Sequence, residues 1–360
     1  MLEEFEFKQI VEPIMAWFRN NKRLLPWRED RDAYHIWVSE IMLQQTRVEA
    51  VIGYYQRFMK ELPDVEALAQ CEEDKLLKLW EGLGYYNRVR NMQCAAKTIM
   101  EEYQGKIPEE VETLLSLKGI GSYTARAIAC QAFEKPVACV DGNVLRVMTR
   151  LSRDNTDILK ASFKKRVEQV LDAVVPIGKS GDFSQALMEL GAIVCVPNGE
   201  PNCERCPLKT LCLAHLEQDE MKYPVKKSAK KRRVEKKTVF VLRKENKILL
   251  RKRKETGLLA GLYEFPNAEG HLSKKQCIEW VKKMNFSPLR VKEMDKAKHI
   301  FSHVEWDMIG YEIFLDEINE NQEEGLFVDI KEAGDIYSIP AAFEKYKEKL
   351  NIISMTTKKS

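Results

Sequence analysis

The stretch Leu117-Lys118-Gly119-Ile120-Gly121-Ser122-Tyr123-Thr124-Ala125 lies between an apolar-periodic segment, Val111–Leu117, and a run of small residues, Thr124–Phe133. The layout predicts two helices joined by a glycine hairpin. Two glycines let the backbone turn tightly and present N–H groups at a helix start, which suits a phosphate oxygen. Because L-x-G-x-G also occurs in ordinary helix turns, the hairpin alone fixes no function. Twenty residues past Gly121 comes Asp141, closing the run Pro136-Val137-Ala138-Cys139-Val140 and followed by Gly142-Asn143. A carboxylate in that position reads as the N-cap of a helix running from about Val144. Capping uses one oxygen and leaves the second to face a cleft.

Farther along, Cys195, Cys203, Cys206 and Cys212 follow the spacing C-x7-C-x2-C-x5-C. Four thiolates so close can saturate one metal centre. A zinc site usually pairs two C-x2-C knuckles, whereas an iron–sulfur cube accepts irregular spacing more readily. The spacing favours iron–sulfur and leaves zinc open. The other cysteines, Cys71, Cys94, Cys130, Cys139 and Cys277, stand in apolar contexts and read as small core residues.

The 360 residues are 44% apolar and 31% charged, a length and composition that suit two or three soluble globular domains. With 58 basic and 55 acidic residues the net charge of +3 says little about partners. An odd count of nine cysteines argues against a disulfide framework. There is no apolar run long enough for a membrane span and no signal-peptide layout at MLEEFEFKQI, so a cytoplasmic location without membrane attachment is expected. Residues 1–221 read as mostly helical, with helical spacing in Asp64–Leu79 and Phe163–Val175. Residues 222–236 read as a basic linker carrying Lys226, Lys227, Lys230, Lys231, Arg232 and Arg233. Residues 237–353 read as α+β: a hairpin of Thr238–Leu242 and Lys247–Arg251, an amphipathic helix over Ser273–Met284 and a strand over Val304–Leu315. Residues 354–360 read as a disordered tail.

Glu40 lies in Ile36-Trp37-Val38-Ser39-Glu40-Ile41-Met42-Leu43-Gln44-Gln45-Thr46, which reads as one helix. Its neighbours at i−4 and i+3 are Ile36 and Leu43, both apolar. Such a glutamate is either a boundary residue reaching water or a desolvated carboxyl with a raised pKa, able to protonate a leaving group.

Hairpin, spaced aspartate and four-cysteine cluster together resemble the helix-hairpin-helix DNA glycosylase superfamily, in the branch that carries a 4Fe–4S cluster. Endonuclease III-like members place a Schiff-base lysine two positions after the second hairpin glycine. Tyr123 stands there and cannot form an imine, which points to a monofunctional glycosylase. Ser39–Arg47 resembles the segment bearing the general acid of the MutY-type adenine glycosylases. That resemblance makes Glu40 the acid, Asp141 the ionised stabiliser of the sugar cation, and Tyr123 and Asn143 their supports. It makes Cys195, Cys203, Cys206 and Cys212 the ligands of one 4Fe–4S cluster. It further implies that Arg28, in Leu25-Pro26-Trp27-Arg28, lines the pocket entrance, that Gln45 and the first tyrosine of Gly82-Leu83-Gly84-Tyr85-Tyr86 wedge into the duplex, and that Gln185 contacts the adenine. Gly119, Gly121 and Lys118 would meet the DNA backbone. Two positions depart from the family pattern: the first cysteine interval is seven residues where six is usual, and Lys118 stands where proline is common.

Gly257-Leu258-Leu259-Ala260-Gly261-Leu262-Tyr263-Glu264-Phe265-Pro266 resembles a Nudix-type domain. Nudix hydrolases continue into a glutamate-rich helix that binds magnesium. Here Asn267-Ala268-Glu269-Gly270-His271-Leu272-Ser273-Lys274-Lys275-Gln276 places too few carboxylates to hold the metal, so nucleotide hydrolysis is rejected. The resemblance implies instead a domain that reads 8-oxoguanine in DNA, with Phe301-Ser302-His303 as its loop. The expected whole is a multidomain protein: a mostly α helix-hairpin-helix glycosylase domain, with its hairpin at 111–133 and a cluster loop at 195–212, plus an α+β Nudix-like domain. It would act as a monomer on double-stranded DNA holding an adenine:8-oxoguanine mispair, as a nucleoid-associated bacterial enzyme. An endonuclease III-like lyase and a non-catalytic lesion-binding protein are the rivals. Tyr123 and the second domain oppose the first, and the pair Glu40 and Asp141 opposes the second.

Overall fold

The computed structural model describes residues 2–227, 232–318 and 325–352. Its helices are α1 (Val11–Asn21), α2 (Ala33–Met42), α3 (Val48–Glu61), α4 (Val65–Gln70), α5 (Glu73–Leu79), α6 (Asn87–Tyr103), α7 (Val111–Ser116), α8 (Ser122–Phe133), α9 (Gly142–Ser152), α10 (Ala161–Asp172), α11 (Ser180–Ile193) and α12 (Leu213–Leu216). Then come β1 (Arg233–Lys244), β2 (Lys247–Lys252), β3 (Tyr263–Glu264), β4 (Asn267–Glu269), α13 (Lys274–Lys283), β5 (Pro288–Ile300), β6 (Val304–Leu315), β7 (Leu326–Asp329), α14 (Ile330–Ile336) and α15 (Glu344–Lys349). The chain divides into two compact units, Met1–Gln70 with Arg90–Ser228 and Cys71–Val89 with Ala229–Ser360. The sequence boundaries differ here, because they leave 71–89 among the helices of the first domain.

In the first unit α11 packs against α1, α8 and α9, and α2 packs on α8. Ile14, Phe18, Val144, Met148, Phe163, Val167, Phe183 and Leu187 share one buried cluster. Each such side chain contributes roughly 1.5–3 kcal/mol through removal from water. Side-chain oxygens start two helices that matter for the site. Asp32 accepts from the Tyr34 and His35 N–H groups at the start of α2. Asp141 accepts from Val144 N–H, 2.7 Å, at the start of α9. Between α7 and α8 the chain turns through Gly119 (φ 79°), where a Cβ would lie 2.5 Å from Asn91 Cβ. Glycine is required there on both counts.

Two helical stretches are shorter than their spacing predicts. Ile36–Thr46 is helical only to Met42, because Gln45 takes a left-handed conformation (φ 60°) that ends the helix. Asp64–Leu79 splits into α4 and α5 around Cys71-Glu72.

The second unit is built on a seven-stranded sheet in the order β3-β2-β1-β6-β5, with β4 paired to β1 and β7 to β2. Along β1, Val239 and Val241 enter a cluster with Trp306, Phe343 and Tyr346, while Phe240 and Leu242 enter another with Cys277, Val281 and Ile313. Alternate residues thus feed opposite faces, and both faces are covered. The β1–β2 hairpin turns at Glu245-Asn246, and α13 starts at a capping box formed by Ser273 and Gln276.

Arg233–Lys236 belong to β1 and not to the linker, paired in parallel with Val304–Asp307. Their side chains are mostly exposed, so they carry no apolar alternation to signal a strand. Lys230, Lys231 and the tail 354–360 lie outside the described residues. Cys130, Cys139 and Cys277 are buried as expected, but Cys94 is exposed and Cys71 only half-buried. Both stand on the solvent side of apolar-periodic stretches.

Candidate active site

A cavity of about 470 Å³ in the first unit collects side chains from α2, α8, α9, α10, α11 and the turn Pro26–Arg28. Glu40, 7% exposed, lies in it with both oxygens engaged. Tyr123 Oη donates to Oε2 at 2.7 Å and Gln131 Nε2 to Oε1 at 2.9 Å. Gln185 Nε2 donates in turn to Gln131 Oε1 at 3.2 Å. Asp141 lines the same cavity, its Oδ1 on Val144 N–H and its Oδ2 accepting from Asn143 Nδ2 at 2.9 Å. Asn143 is held by Arg146, whose Nη2 donates to Asn143 Oδ1 at 2.8 Å and whose Nε donates to the Cys195 carbonyl at 2.8 Å. α11 can approach this closely because residue 191 is glycine; a Cβ there would lie 2.6 Å from Asn143 Cβ.

The two carboxyls share one electrostatic situation. Burial pushes Glu40 above the usual carboxylate range and the Asp141 charge adds to it, against hydrogen bonds from Tyr123 and Gln131 and the Arg28 charge. Burial also raises Asp141, opposed by Val144 N–H, Asn143 and Arg146. Tyr123 is pushed well above 10 by burial, so it remains a donor. A protonatable carboxyl and a second one braced by donors, in one cavity, have the chemistry that an acid and a charge stabiliser require.

Cys195, Cys203, Cys206 and Cys212 line one small cavity of about 20 Å³ with Arg150. Arg150 Nη1 donates to Cys195 Sγ at 3.1 Å. Burial pushes Cys203 and Cys206 up to about 12 and Cys212 to about 11. Four thiolates in this place need a cationic centre between them, so the donor set fits a metal cluster. Cys203 also lies with His215 and Glu220, all ligand atoms within 4.8 Å.

The second unit holds another cavity, about 690 Å³, lined by Gly82–Asn87, Gly257–Ala260, His299–His303 and Pro340–Ala342. Phe301 anchors its ring edge-on to buried Trp306, 4.9 Å between centroids, and its N–H donates to the Val304 carbonyl at 2.8 Å. That tight turn leaves Ser302 and His303 exposed, with Oγ 3.1 Å from Nδ1. Tyr85, 48% exposed, borders the same cavity in a left-handed conformation (φ 49°).

Residues 38–173 match the HhH-GPD superfamily of base excision DNA repair proteins and 238–349 match the NUDIX domain. An adenine DNA glycosylase of Buchnera aphidicola subsp. Schizaphis graminum is 34% identical over 96% of this chain and 98% of its own length. The chain belongs to the adenine DNA glycosylase family. As an adenine DNA glycosylase it is a base excision repair enzyme acting on N-glycosyl bonds. The mouse adenine DNA glycosylase is 34% identical over 84% of this chain and 70% of its own. A thermostable thymine-DNA glycosylase structure is 30% identical, with a TM-score of 0.53 over 58% of this chain and 96% of its own. A non-covalent endonuclease III–DNA complex, 20% identical with a TM-score of 0.50 over 59% of this chain and 99% of its own, shares the fold. No helix among the described residues is long and apolar enough to cross a membrane.

In this adenine DNA glycosylase the structure gathers Arg28, Glu40, Gln45, Tyr123, Asp141, Asn143 and Gln185 around one cavity. Lys118, Gly119 and Gly121 are exposed at the hairpin, apart from it. Tyr85 borders the second cavity, beside Phe301, Ser302 and His303. Sequence reasoning missed Gln131, Lys164, Arg23 and Glu189, all lining the first cavity. For Glu189 a signal existed, since it follows Gln185 by one helical turn on α11.

Proposed function

We propose that the enzyme is monofunctional and hydrolyses the N-glycosidic bond of adenine mispaired with 8-oxoguanine in duplex DNA. The observation that carries this reading is the convergence of Glu40 and Asp141 on one cavity, each with its own donors. The target bond is out of reach inside a duplex, so adenine is flipped out at a cost of about a few kcal/mol. Gln45 and Tyr85 fill the gap; both are exposed and held in left-handed backbone conformations, a strain typical of functional positions. Glu40 protonates the departing base at N7. Asp141, ionised and braced by Val144 N–H and Asn143, stabilises the oxocarbenium-like sugar; the growing positive charge draws its pKa down as the bond breaks. Glu40 then accepts a proton from the attacking water. Lys118 and the hairpin glycines contact phosphate, with Lys226, Lys227 and Arg232 as further candidates, which makes binding salt-dependent. Ser302 and His303, carried on the turn after Phe301, read the 8-oxoguanine.

Cys195, Cys203, Cys206 and Cys212 would hold one 4Fe–4S cluster, whose contribution would be to pin the 195–212 loop rather than to cleave the bond. The protein acts as a monomer in the bacterial cytoplasm. The test is single-turnover adenine release from a duplex with one adenine:8-oxoguanine pair, with borohydride in a parallel sample. Rapid release without a borohydride-trapped adduct supports the reading. Release with efficient trapping would make it a lyase, and DNA binding without release would make it a non-catalytic binder.

A further inference from the structure

α11 turns Gln185, Met188, Glu189 and Ala192 toward the catalytic cavity, a stripe at three- and four-residue spacing. Glu189 is the most enclosed polar group among them, its side chain 1% exposed. Oε1 accepts from the Arg23 backbone N–H at 2.9 Å and from Arg23 Nε at 2.7 Å. Oε2 accepts from Arg23 Nη2 at 3.1 Å and Arg28 Nη2 at 3.0 Å. Arg28 Nη1 donates to the Arg23 carbonyl at 3.3 Å, tying the two arginines together. Four N–H donors on one buried carboxylate form a clamp far stronger in geometry than a surface ion pair.

We propose that Glu189 is a positioning residue for adenine release, fixing Arg23 and Arg28 along the cavity wall and cancelling part of their charge so that Glu40 keeps its proton. This role rests on reading Glu40 as the general acid. One carboxylate between two guanidiniums leaves a single net positive charge at the wall. Removing it leaves two, and frees Arg28 to swing toward either catalytic carboxyl. Arg28 already favours the ionised form of Glu40. Glu189 itself stays ionised: burial alone would raise it, but the Arg23 hydrogen bonds and the Arg28 charge hold it below the usual range.

The charged and titratable groups around Glu40 set the direction of the effect. Tyr123 and Cys130 face it from α8, and Cys139 and Asp141 from the segment before α9. Arg28 comes from the Pro26–Arg28 turn, with Lys164 from α10, Arg23 and Glu189 on the cavity wall. Of these, Arg23 and Arg28 are the cations that Glu189 holds, so loss of its charge moves the balance toward ionised Glu40.

The experiment is the pH dependence of single-turnover adenine release for the parent, Glu40→Gln, Glu189→Gln, Glu189→Asp and Arg28→Gln. Glu189→Gln is expected to slow release about 10-fold at neutral pH. Its alkaline limb should move down by roughly half a pH unit to one unit. Glu189→Asp keeps the charge and the parental midpoint, and Arg28→Gln moves the midpoint the opposite way, upward. A Glu189→Gln profile that superimposes on the parent after scaling overturns the proposal. Should Glu189→Gln fail to fold, an unmoved midpoint in Arg28→Gln overturns it equally. An alkaline limb that survives in Glu40→Gln overturns the acid reading and this role with it. A limb lost in Glu40→Gln but unmoved in Glu189→Gln overturns only the role of Glu189.

Discussion

In the first unit, Glu40 and Asp141 sit in a cavity whose polar atoms are paired before any substrate arrives: Tyr123 and Gln131 on one carboxyl, Val144 N–H and Asn143 on the other. In the second unit, Ser302 and His303 stand exposed on a turn, anchored from behind by Phe301 on Trp306. The contrast is between groups enclosed in a cavity, Glu40 in the last turn of α2 and Asp141 at the cap of α9, and exposed groups carried on a loop. Chemistry needs shifted protonation, which burial supplies and water would abolish. Recognition of a base in a duplex needs side chains that can reach outward from a rigid base.

If that division holds, damage to the buried set should stop the reaction and damage to the loop should only blur its selectivity. Glu40→Gln and Asp141→Asn are expected to lower single-turnover release about 1,000-fold or more, measured with enzyme in excess over duplex. Tyr123→Phe removes one donor to Glu40 and is expected to cost roughly 10- to 100-fold. That hydrogen bond favours the charged carboxylate, so its loss should raise Glu40 further and shift the alkaline limb of the rate profile upward. An unshifted limb would break the link between Tyr123 and the acid. Ser302→Ala is expected to lower the preference for adenine opposite 8-oxoguanine over adenine opposite guanine by about 3- to 10-fold, from one lost hydrogen bond.

The smallest expected effect is on stability. Glu40 and Asp141 have folded-state pKa values raised above the unfolded ones, so the stability they lend is complete in acid. It is lost as pH rises from the ordinary carboxylate range through the raised values. Glu40→Gln and Asp141→Asn escape that loss; asparagine also caps α9 well. Each should raise the neutral-pH Tm by roughly 1–4 °C in a thermal melt while abolishing activity. No such gain is expected for Ser302→Ala, whose side chain is exposed. The cysteine loop is a separate matter: about four irons per chain are expected on metal analysis, against about one zinc for a mononuclear site.

The hairpin, Asp141 as a cap, the β1–β2 hairpin and α13 are legible in the sequence because glycine, capping residues and period-two alternation write them locally. β5 is not legible: its side chains are largely exposed and charged, with little apolar alternation to announce a strand. The left-handed turn at Gln45 carries no glycine or proline to mark it. Glu40 and Asp141 stand in recognisable motifs, whereas Glu189 is marked only by its place one helical turn after Gln185, and its partner Arg23 stands 166 residues earlier. The placement of 71–89 in the second unit is likewise a tertiary fact that helical spacing cannot carry.

Rates for the parent, Tyr123→Phe and Ser302→Ala on two duplexes, one with adenine opposite 8-oxoguanine and one with adenine opposite guanine, test the division of labour most directly. Tyr123→Phe should slow both substrates by the same factor and leave their ratio at the parental value. Ser302→Ala should leave the guanine-paired rate unchanged and reduce the ratio. A ratio altered by Tyr123→Phe, or untouched by Ser302→Ala, would contradict the assignment of chemistry to the first cavity and lesion reading to the second.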